Sequence, residues 1–290
     1  MGGNKMKFLL LGSSGMAGHT ISTYLSEQGH TVDGFDRSTT SQTTNIIGDV
    51  KNVGLLKDIL HGTKYDSVIN CIGLLNQFAD ENKELAVYLN SYLPHLLADI
   101  TKHSETQVIH MSTDCVFSGK TGKYSEADFK DGVSFYDRTK ALGELDDDKN
   151  ITLRNSIVGP DINNNGIGLL NWFMLQNGTI RGYTKALWTG LTTLELAKVM
   201  EYAAKVKASG LYNMVYKEPI SKFELLKLFN KYLRNNELDI ESFEGFVADK
   251  SLVRTRFEFD YLIPDYEKMV FELSEWIKKH RQLYPHYKLS

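Results

Sequence analysis

Cysteine and proline are scarce here, with two of the first and five of the second in 290 residues. Cys71 and Cys115 stand far apart, so they form neither a metal-ligand pair nor a disulfide framework. Reduced thiols of a cytoplasmic protein are expected. No apolar run approaches the roughly 18 residues needed to span a bilayer, so no membrane partner is expected. Phe8-Leu9-Leu10-Leu11 is too short for a secretory signal and runs into glycines rather than a cleavage site. An excess of one charge is also missing. The 33 Lys and Arg face 36 Asp and Glu, a net charge of -3 that offers no field to gather nucleic acid. The eight histidines show no ligand spacing, so no metal is expected, and His110 reads as a core residue.

What remains is ordinary globular composition, 42% hydrophobic and 24% charged. Met1 to Lys5 reads as a floppy leader, with Met6 an alternative start. Beyond it, short apolar runs alternate with helix-period segments, the pattern of a parallel sheet covered on both faces. Strands are expected at Met6 to Leu11, Thr31 to Phe35, Asn45 to Ile47, Ser67 to Asn70, Gln107 to Met111 and Ile151 to Arg154. A helix should start near Gly15 and bury Ala17, Ile21, Tyr24 and Leu25. A long helix should carry Leu85, Leu89, Tyr92, Leu93, Leu96, Leu97 and Ile100 as its stripe, kinked at Pro94.

Past Gly159-Pro160 comes a polar loop. Capping boxes then follow at Thr192 with Glu195 and at Ser221 with Glu224. A strand is expected at Leu211 to Tyr216 and a last amphipathic helix from Tyr266 to His280. The expected architecture is a Rossmann-type doubly wound α/β domain over residues 1–155, with a smaller mixed C-terminal substrate-binding region over 156–290. The strand near 211–216 is a candidate addition to the first sheet.

Between the first strand and first helix lies Gly12-Ser13-Ser14-Gly15-Met16-Ala17-Gly18. Glycines there let the backbone turn tightly against a pyrophosphate, which the helix N-terminus attracts. Gly12, Ser14, Gly15 and Met16 are therefore candidate cofactor contacts, although tight helix packing alone would also call for such glycines. Asp36 ends the second strand, where an acid holds the adenosine ribose hydroxyls, while Arg37 and Ser38 suit a 2′-phosphate. Both NADPH and NADH are thus expected, with NADPH slightly favoured. Asp49 and Val50 face the adenine, or Asp49 merely opens a solvated helix.

Thr113 and Asp114 follow the fifth strand, and Tyr136 and Lys140 fall one turn apart on the next helix. A nearby ammonium favours phenolate, so the tyrosine pKa should move down toward the working pH. The Thr113 hydroxyl can steady a developing alkoxide. Tyr284 and Lys288 repeat the spacing, but Pro285 interrupts them and no strand precedes them. Cys115 has no neighbouring base and reads as a passive, substrate-facing side chain. Arg181, Lys185 and Trp188 flank an expected turn; they meet a nucleotide diphosphate or form a solvated face.

This arrangement resembles the extended short-chain dehydrogenase/reductase family and, more narrowly, the dTDP-4-dehydrorhamnose reductases. The resemblance runs through Gly12 to Gly18, Asn70-Cys71-Ile72-Gly73, Ser112 to Gly119 and Tyr136 to Glu144, and more loosely through Arg154-Asn155-Ser156 and Leu194 to Ala197. It implies a catalytic triad of Thr113, Tyr136 and Lys140, with Lys140 also holding the nicotinamide ribose. It also makes Cys71, Gly73 and Asn90 candidate cofactor neighbours, and Thr113, Asp114 and Cys115 candidate substrate contacts. The implied activity is NAD(P)H-dependent reduction of a nucleotide-linked 4-keto-6-deoxy sugar, in deoxysugar and cell-surface polysaccharide precursor synthesis, by a chain that forms a homodimer in one open reading. Alternatives are a reductase of a UDP-linked N-acetylated keto sugar and a non-catalytic dinucleotide-binding regulatory subunit. The chain departs from the pattern at Cys115 (usually tyrosine), at Ile157 (often tryptophan) and at Trp188, near the diphosphate-binding arginine of sugar-nucleotide epimerases.

Overall fold

A strand buried on both faces has no solvent side to keep polar, and the run Phe8-Leu9-Leu10-Leu11 is fully buried. In the computed structural model, which describes residues 5–39 and 44–288, it forms β1 (Lys7–Leu11). Of the expected leader Met1 to Lys5, residues 1–4 lie outside the described residues. Alternation follows with α1 (Met16–Glu27), β2 (Thr31–Asp36), β3 (Thr44–Ile47), α2 (Val53–Gly62) and β4 (Ser67–Asn70). Next come α3 (Asn76–Glu81), α4 (Lys83–Ala86), a π-helical stretch Val87–Tyr92, α5 (Leu93–Thr101) and β5 (Gln107–Ser112).

The chain continues through α6 (Phe135–Leu142), β6 (Ile151–Arg154), β7 (Ser156–Val158), α7 (Leu169–Met174) and β8 (Thr179–Tyr183). Short β9 (Ala186–Trp188) and β10 (Gly190–Thr192) precede α8 (Thr193–Val206) and β11 (Gly210–Asn213). The last elements are β12 (Ile220–Ser221), α9 (Lys222–Leu233), β13 (Asp239–Phe243), β14 (Ala248–Asp249) and α10 (Tyr266–Lys279).

Seven strands pair in parallel in the order β3-β2-β1-β4-β5-β6-β11. The order reverses between β1 and β4, which opens a crevice at the carboxyl ends of the strands. Side chains of β1 alternate between two cores. Phe8 and Leu10 meet α1, α8 and α10, while Leu9 and Leu11 meet α2 and α5. The chain is therefore a Rossmann-type doubly wound sheet. The remaining strands make three small sheets, β7 with β10, β8 with β13, and β9 between β12 and β14.

The long helix expected before β5 is not one α-helix. Pro94 has no N–H to offer the carbonyl four residues back, that of Asn90, and the turn before it widens into the π-helical stretch. The stripe rotates with it: Leu85 is half-buried and Tyr92 exposed, against expectation. Asn90's carbonyl instead lies against the bare Cα of Gly143, where any Cβ would collide with it. The capping boxes at Thr192 and Ser221 form only by half. Each hydroxyl accepts its backbone N–H, but Glu195 turns to Tyr261 and Lys198, and Glu224 to Lys227. The reciprocal box belongs to Ser134 and Asp137, at the start of α6.

A buried ion cluster joins the sheet to α6. Arg154, at the end of β6, donates to both Glu144 oxygens at 2.8 and 2.7 Å. Ser112 at 2.6 Å and Lys130 at 2.8 Å donate to the same carboxylate. Burial alone would push the Glu144 carboxyl up; Arg154 and Lys130 outweigh it and hold the group below the ordinary range. Removing one member of such a pair strands a buried charge. Arg154→Ala should therefore cost about 3–5 kcal/mol, read as a lower urea midpoint at unchanged slope. A loss under about 1 kcal/mol would show that Lys130 and Ser112 suffice.

Candidate active site

The phosphate loop is shaped by backbone contacts. Gly12 takes a φ of 81° that a side chain would strain. Its N–H donates to the Phe35 carbonyl at 3.0 Å, and its own carbonyl accepts from Gly15 N–H at 3.1 Å. A Cβ on Gly18 would strike that carbonyl, so Gly18 sets how closely α1 packs on the loop. Gly15 differs: the nearest atom to a Cβ there is 3.4 Å away. A side chain at Gly15 fits the fold and fills the cleft.

That cleft encloses about 320 Å³. It is lined by Gly12, Ser14, Gly15, Asp36, Arg37, Asp49, Val50, Cys71 and Gly73, all candidates from the sequence, and by Lys51, which was not one. An open glycine cradle at a helix N-terminus, with an acid and two cations at the far end, fits the adenosine diphosphate part of a dinucleotide. Asp36 is already engaged: its carboxylate accepts from the Ser14 N–H at 2.8 Å, from the Ser14 hydroxyl and from its neighbour Arg37's N–H at 2.9 Å. Lys51 lies 3.7 Å from the Asp49 carboxylate. In the sequence it looks like any solvated lysine after a strand.

Two expected cofactor neighbours stand elsewhere. Met16 reaches away toward the loop before α7, where its sulfur lies 2.9 Å from the Cβ position of Gly168. Asn90 is fully buried and its amide is spent. It bonds the Leu74 N–H at 2.8 Å, the Leu74 carbonyl at 2.9 Å and the Thr139 hydroxyl at 3.1 Å. Asn90 thus ties the loop after β4 to α6, and sits behind the site wall.

Thr113 caps a 3-10 turn, Asp114–Val116, at the carboxyl end of β5. Its hydroxyl accepts from Cys115 N–H and donates to the Asp114 carboxylate, both at 3.1 Å. Across from it, α6 presents Tyr136 and Lys140 on its buried face. The Thr113 side chain lies close enough to the Tyr136 hydroxyl to favour its phenolate. The structure therefore brings Thr113, Asp114, Cys115, Tyr136 and Lys140 together.

The electrostatics correct one expectation. Tyr136 is shifted up, not down, chiefly because burial disfavours phenolate, with Cys115, Asp114 and Asp137 adding to it. Lys140 does not outweigh that burial; its ammonium donates to the Met111 carbonyl at 2.6 Å. Burial brings the Lys140 pKa down to about 8, against favourable pull from Glu144. Burial also pushes Cys115 up to about 11 and Cys71 up to about 12, so both thiols stay protonated. Asp114 is raised by burial as well, although Thr113, Lys250 and Lys222 all favour its carboxylate. His110 is fully buried beside Asn70 at 3.3 Å and held well below its ordinary pKa by burial.

The cations expected in the second half do not converge on this cluster. Arg181 lies over the Phe243 ring at 5.3 Å, and Lys185 pairs with Glu244 at 2.7 Å. Trp188 is a core side chain against Tyr266, ring centroids 5.6 Å apart. Lys222 and Lys250, unmarked in the sequence, are the ones whose charges reach Asp114. The rejected Tyr284 is fully buried and bonds His19 at 2.9 Å.

The cradle makes its own test. Gly15→Val should fold with a thermal midpoint near that of the parent yet bind NADPH at least about 100-fold more weakly, as crowding of a pyrophosphate demands. Fluorescence titration of the folded variant measures this, and parental affinity would remove the loop from the cofactor site.

Comparison with known proteins agrees with this geometry. Residues 6–245 match the family described as RmlD substrate binding domain. A probable low-salt glycan biosynthesis reductase, Agl14, of Haloferax volcanii is 32% identical over 143 residues, 48% of each chain, so the match spans about half of that relative. The dTDP-4-dehydrorhamnose reductase of Bacillus anthracis, solved with NADP, superposes with a TM-score of 0.78 at 17% identity, over 94% of this chain and 99% of the other. A hypothetical dTDP-4-dehydrorhamnose reductase of Sulfolobus tokodaii gives 0.73 at 24% identity, over 90% and 98%. At these identities the two structures speak for the fold, and the family match speaks for descent: the chain belongs to the RmlD substrate binding domain family.

Proposed function

We propose that this protein is an NAD(P)H-dependent reductase of a nucleotide-linked keto sugar, working in the cytoplasm on a 4-keto-6-deoxyhexose. The observation that carries this reading is the meeting of the Thr113 and Tyr136 hydroxyls at the carboxyl end of β5, with Lys140 one turn further along α6. Gly12 and Gly15 would hold NAD(P)H by its diphosphate, and the cofactor held so would supply the hydride for the carbonyl carbon. The chain's residues do the rest.

Gly12, Ser14, Gly15 and the α1 N-terminus would face the pyrophosphate, while Arg37 and Lys51 would attract a 2′-phosphate. Thr113 would turn its proton from Asp114 to the substrate carbonyl and steady the oxygen as negative charge grows there. Tyr136 would then protonate that oxygen. Its raised pKa suits this direction, because the phenol is fully protonated and ready to donate near neutrality. Lys140 has three donors and Met111 takes one, which leaves two for ribose hydroxyls beside it. Cys115 stands where a dehydratase needs a carboxyl group, and its protonated thiol supplies neither acid nor base.

The reaction predicts one equivalent of NAD(P)H oxidised per keto sugar consumed, followed by nicotinamide absorbance against chromatographed product. Tyr136→Phe should lose about 10²–10⁴ in that turnover, the usual worth of a positioned acid, with cofactor affinity kept. Product from a non-keto sugar nucleotide without net oxidation would overturn the reading. Cofactor binding with no turnover on any keto sugar nucleotide would mark a regulatory subunit instead.

A pH dependence follows from Lys140. Its folded-state pKa is lowered to about 8, so the ammonium is present below that pH and lost as pH rises through it. With Tyr136 still protonated there, kcat/KM should fall above about pH 8, and Lys140→Arg, which cannot deprotonate, should flatten that limb. A profile level to pH 10 in the parent enzyme would mean that the charge on Lys140 is not required.

A further inference from the structure

The charge of a sugar nucleotide sits on its diphosphate, and the cations expected to meet it are engaged with the β8–β13 pair instead: Arg181 on Phe243 and Lys185 on Glu244. Two other lysines occupy a better place. In the small sheet, β9 lies between β12 and β14, and Leu187 is the register partner of both Ser221 and Asp249. Lys222 and Lys250 are the next residues on those two flanks. Because β12 runs antiparallel and β14 parallel to β9, the two residues stand diagonally across β9, on the order of 12 Å apart, within the reach of two long side chains converging on one group.

Both charges are felt at Asp114, the residue after Thr113. Lys250 also borders the loop beyond it: its Cγ stands 2.9 Å from the Cβ position of Gly119, and Ser251 accepts the Tyr124 N–H at 2.9 Å. Among the described residues neither ammonium has a hydrogen-bond or ion-pair partner of its own. Both side chains are half-buried, and burial lowers the Lys222 pKa. Asp114 attracts Lys222 but makes no hydrogen bond or ion pair with it among the described residues, so the desolvated ammonium is further stabilised by an anion that comes to it.

We propose that Lys222 and Lys250 grip the diphosphate of the substrate and aim its sugar at Thr113, an inference that rests on the sugar-nucleotide reading above. A sugar nucleotide held this way enters from the small β9 sheet and meets the hydride donor across the crevice.

The test is calorimetric titration of dTDP and UDP into the NADPH-loaded protein, for the parent and for Lys222→Met, Lys250→Met and the double variant. Methionine keeps the apolar stem and removes the charge. Each single change should weaken the bound nucleoside diphosphate about tenfold, the double change more, and the dependence of log Kd on salt should flatten. Lys222→Arg and Lys250→Arg should stay within about threefold, since the charge is kept, and NADPH affinity and thermal midpoint should hold throughout. Parental affinity in the double methionine variant would overturn the grip and leave the sugar-nucleotide reading standing, as would equal losses in the Met and Arg variants. A parent protein that binds neither diphosphate would overturn both.

Discussion

The contact between Arg154 and Glu144 holds together parts of the chain that are otherwise joined only through loops. Glu144 follows α6, Arg154 ends β6, and Ser112 ends β5, so one carboxylate gathers the site helix and two strand ends. The guanidinium also lies over the Phe117 ring at 5.0 Å, and that ring stacks on Tyr124 at 4.3 Å. Asn213 on β11 takes up the thread. It accepts from Arg154 at 3.3 Å and donates to the carbonyls of Tyr124 and Val253. The loop after Thr113 is thereby fixed to the segment bearing Lys250. With the buried carboxylate fully hydrogen-bonded, the cluster rigidifies rather than destabilises.

A second constraint is the closeness of α6 to the π-helical stretch. Gly143 touches the Asn90 carbonyl, Asn90 binds the Thr139 hydroxyl, and Ser91 donates to the Thr139 carbonyl at 2.7 Å. The carbonyl that Pro94 cannot satisfy is the one Gly143 approaches. A defect in one helix and a missing side chain in another meet at one point. The buried face of α6, with Tyr136 and Lys140, is set by that meeting.

Much of this was legible in the sequence because periodicity reports burial. The uniform run of β1, the glycines after it and the Tyr136–Lys140 spacing each follow from a local rule that the fold obeys. The misreadings have equally physical causes. Tyr92 fell on the stripe of an ideal helix, but a π-helical stretch shifts the stripe. Asn90 could be placed on its helix but not paired, because its partners Leu74 and Thr139 are distant in sequence. Arg181 and Lys185 stood out in the sequence, but it is the charges of Lys222 and Lys250 that reach Asp114. Charge is visible in a sequence, whereas the strand register that delivers it is not. The downward shift expected for Tyr136 failed because desolvation depends on the whole fold, which a local spacing does not report.

The bond between Ser14 and Asp36 has a consequence for how the cleft is entered. It spans the phosphate loop and the end of β2, and it is made by the protein alone. The loop is thereby latched in its open-cradle shape before any ligand arrives, and the entropy of ordering it is lost at folding rather than at binding. Any further donor that reaches Asp36 must share the carboxylate with Ser14, so what the acid offers in attraction is partly withdrawn by competition. The latch therefore leaves the acid with less to offer a newcomer than its charge alone suggests, while the shape of the loop is already fixed.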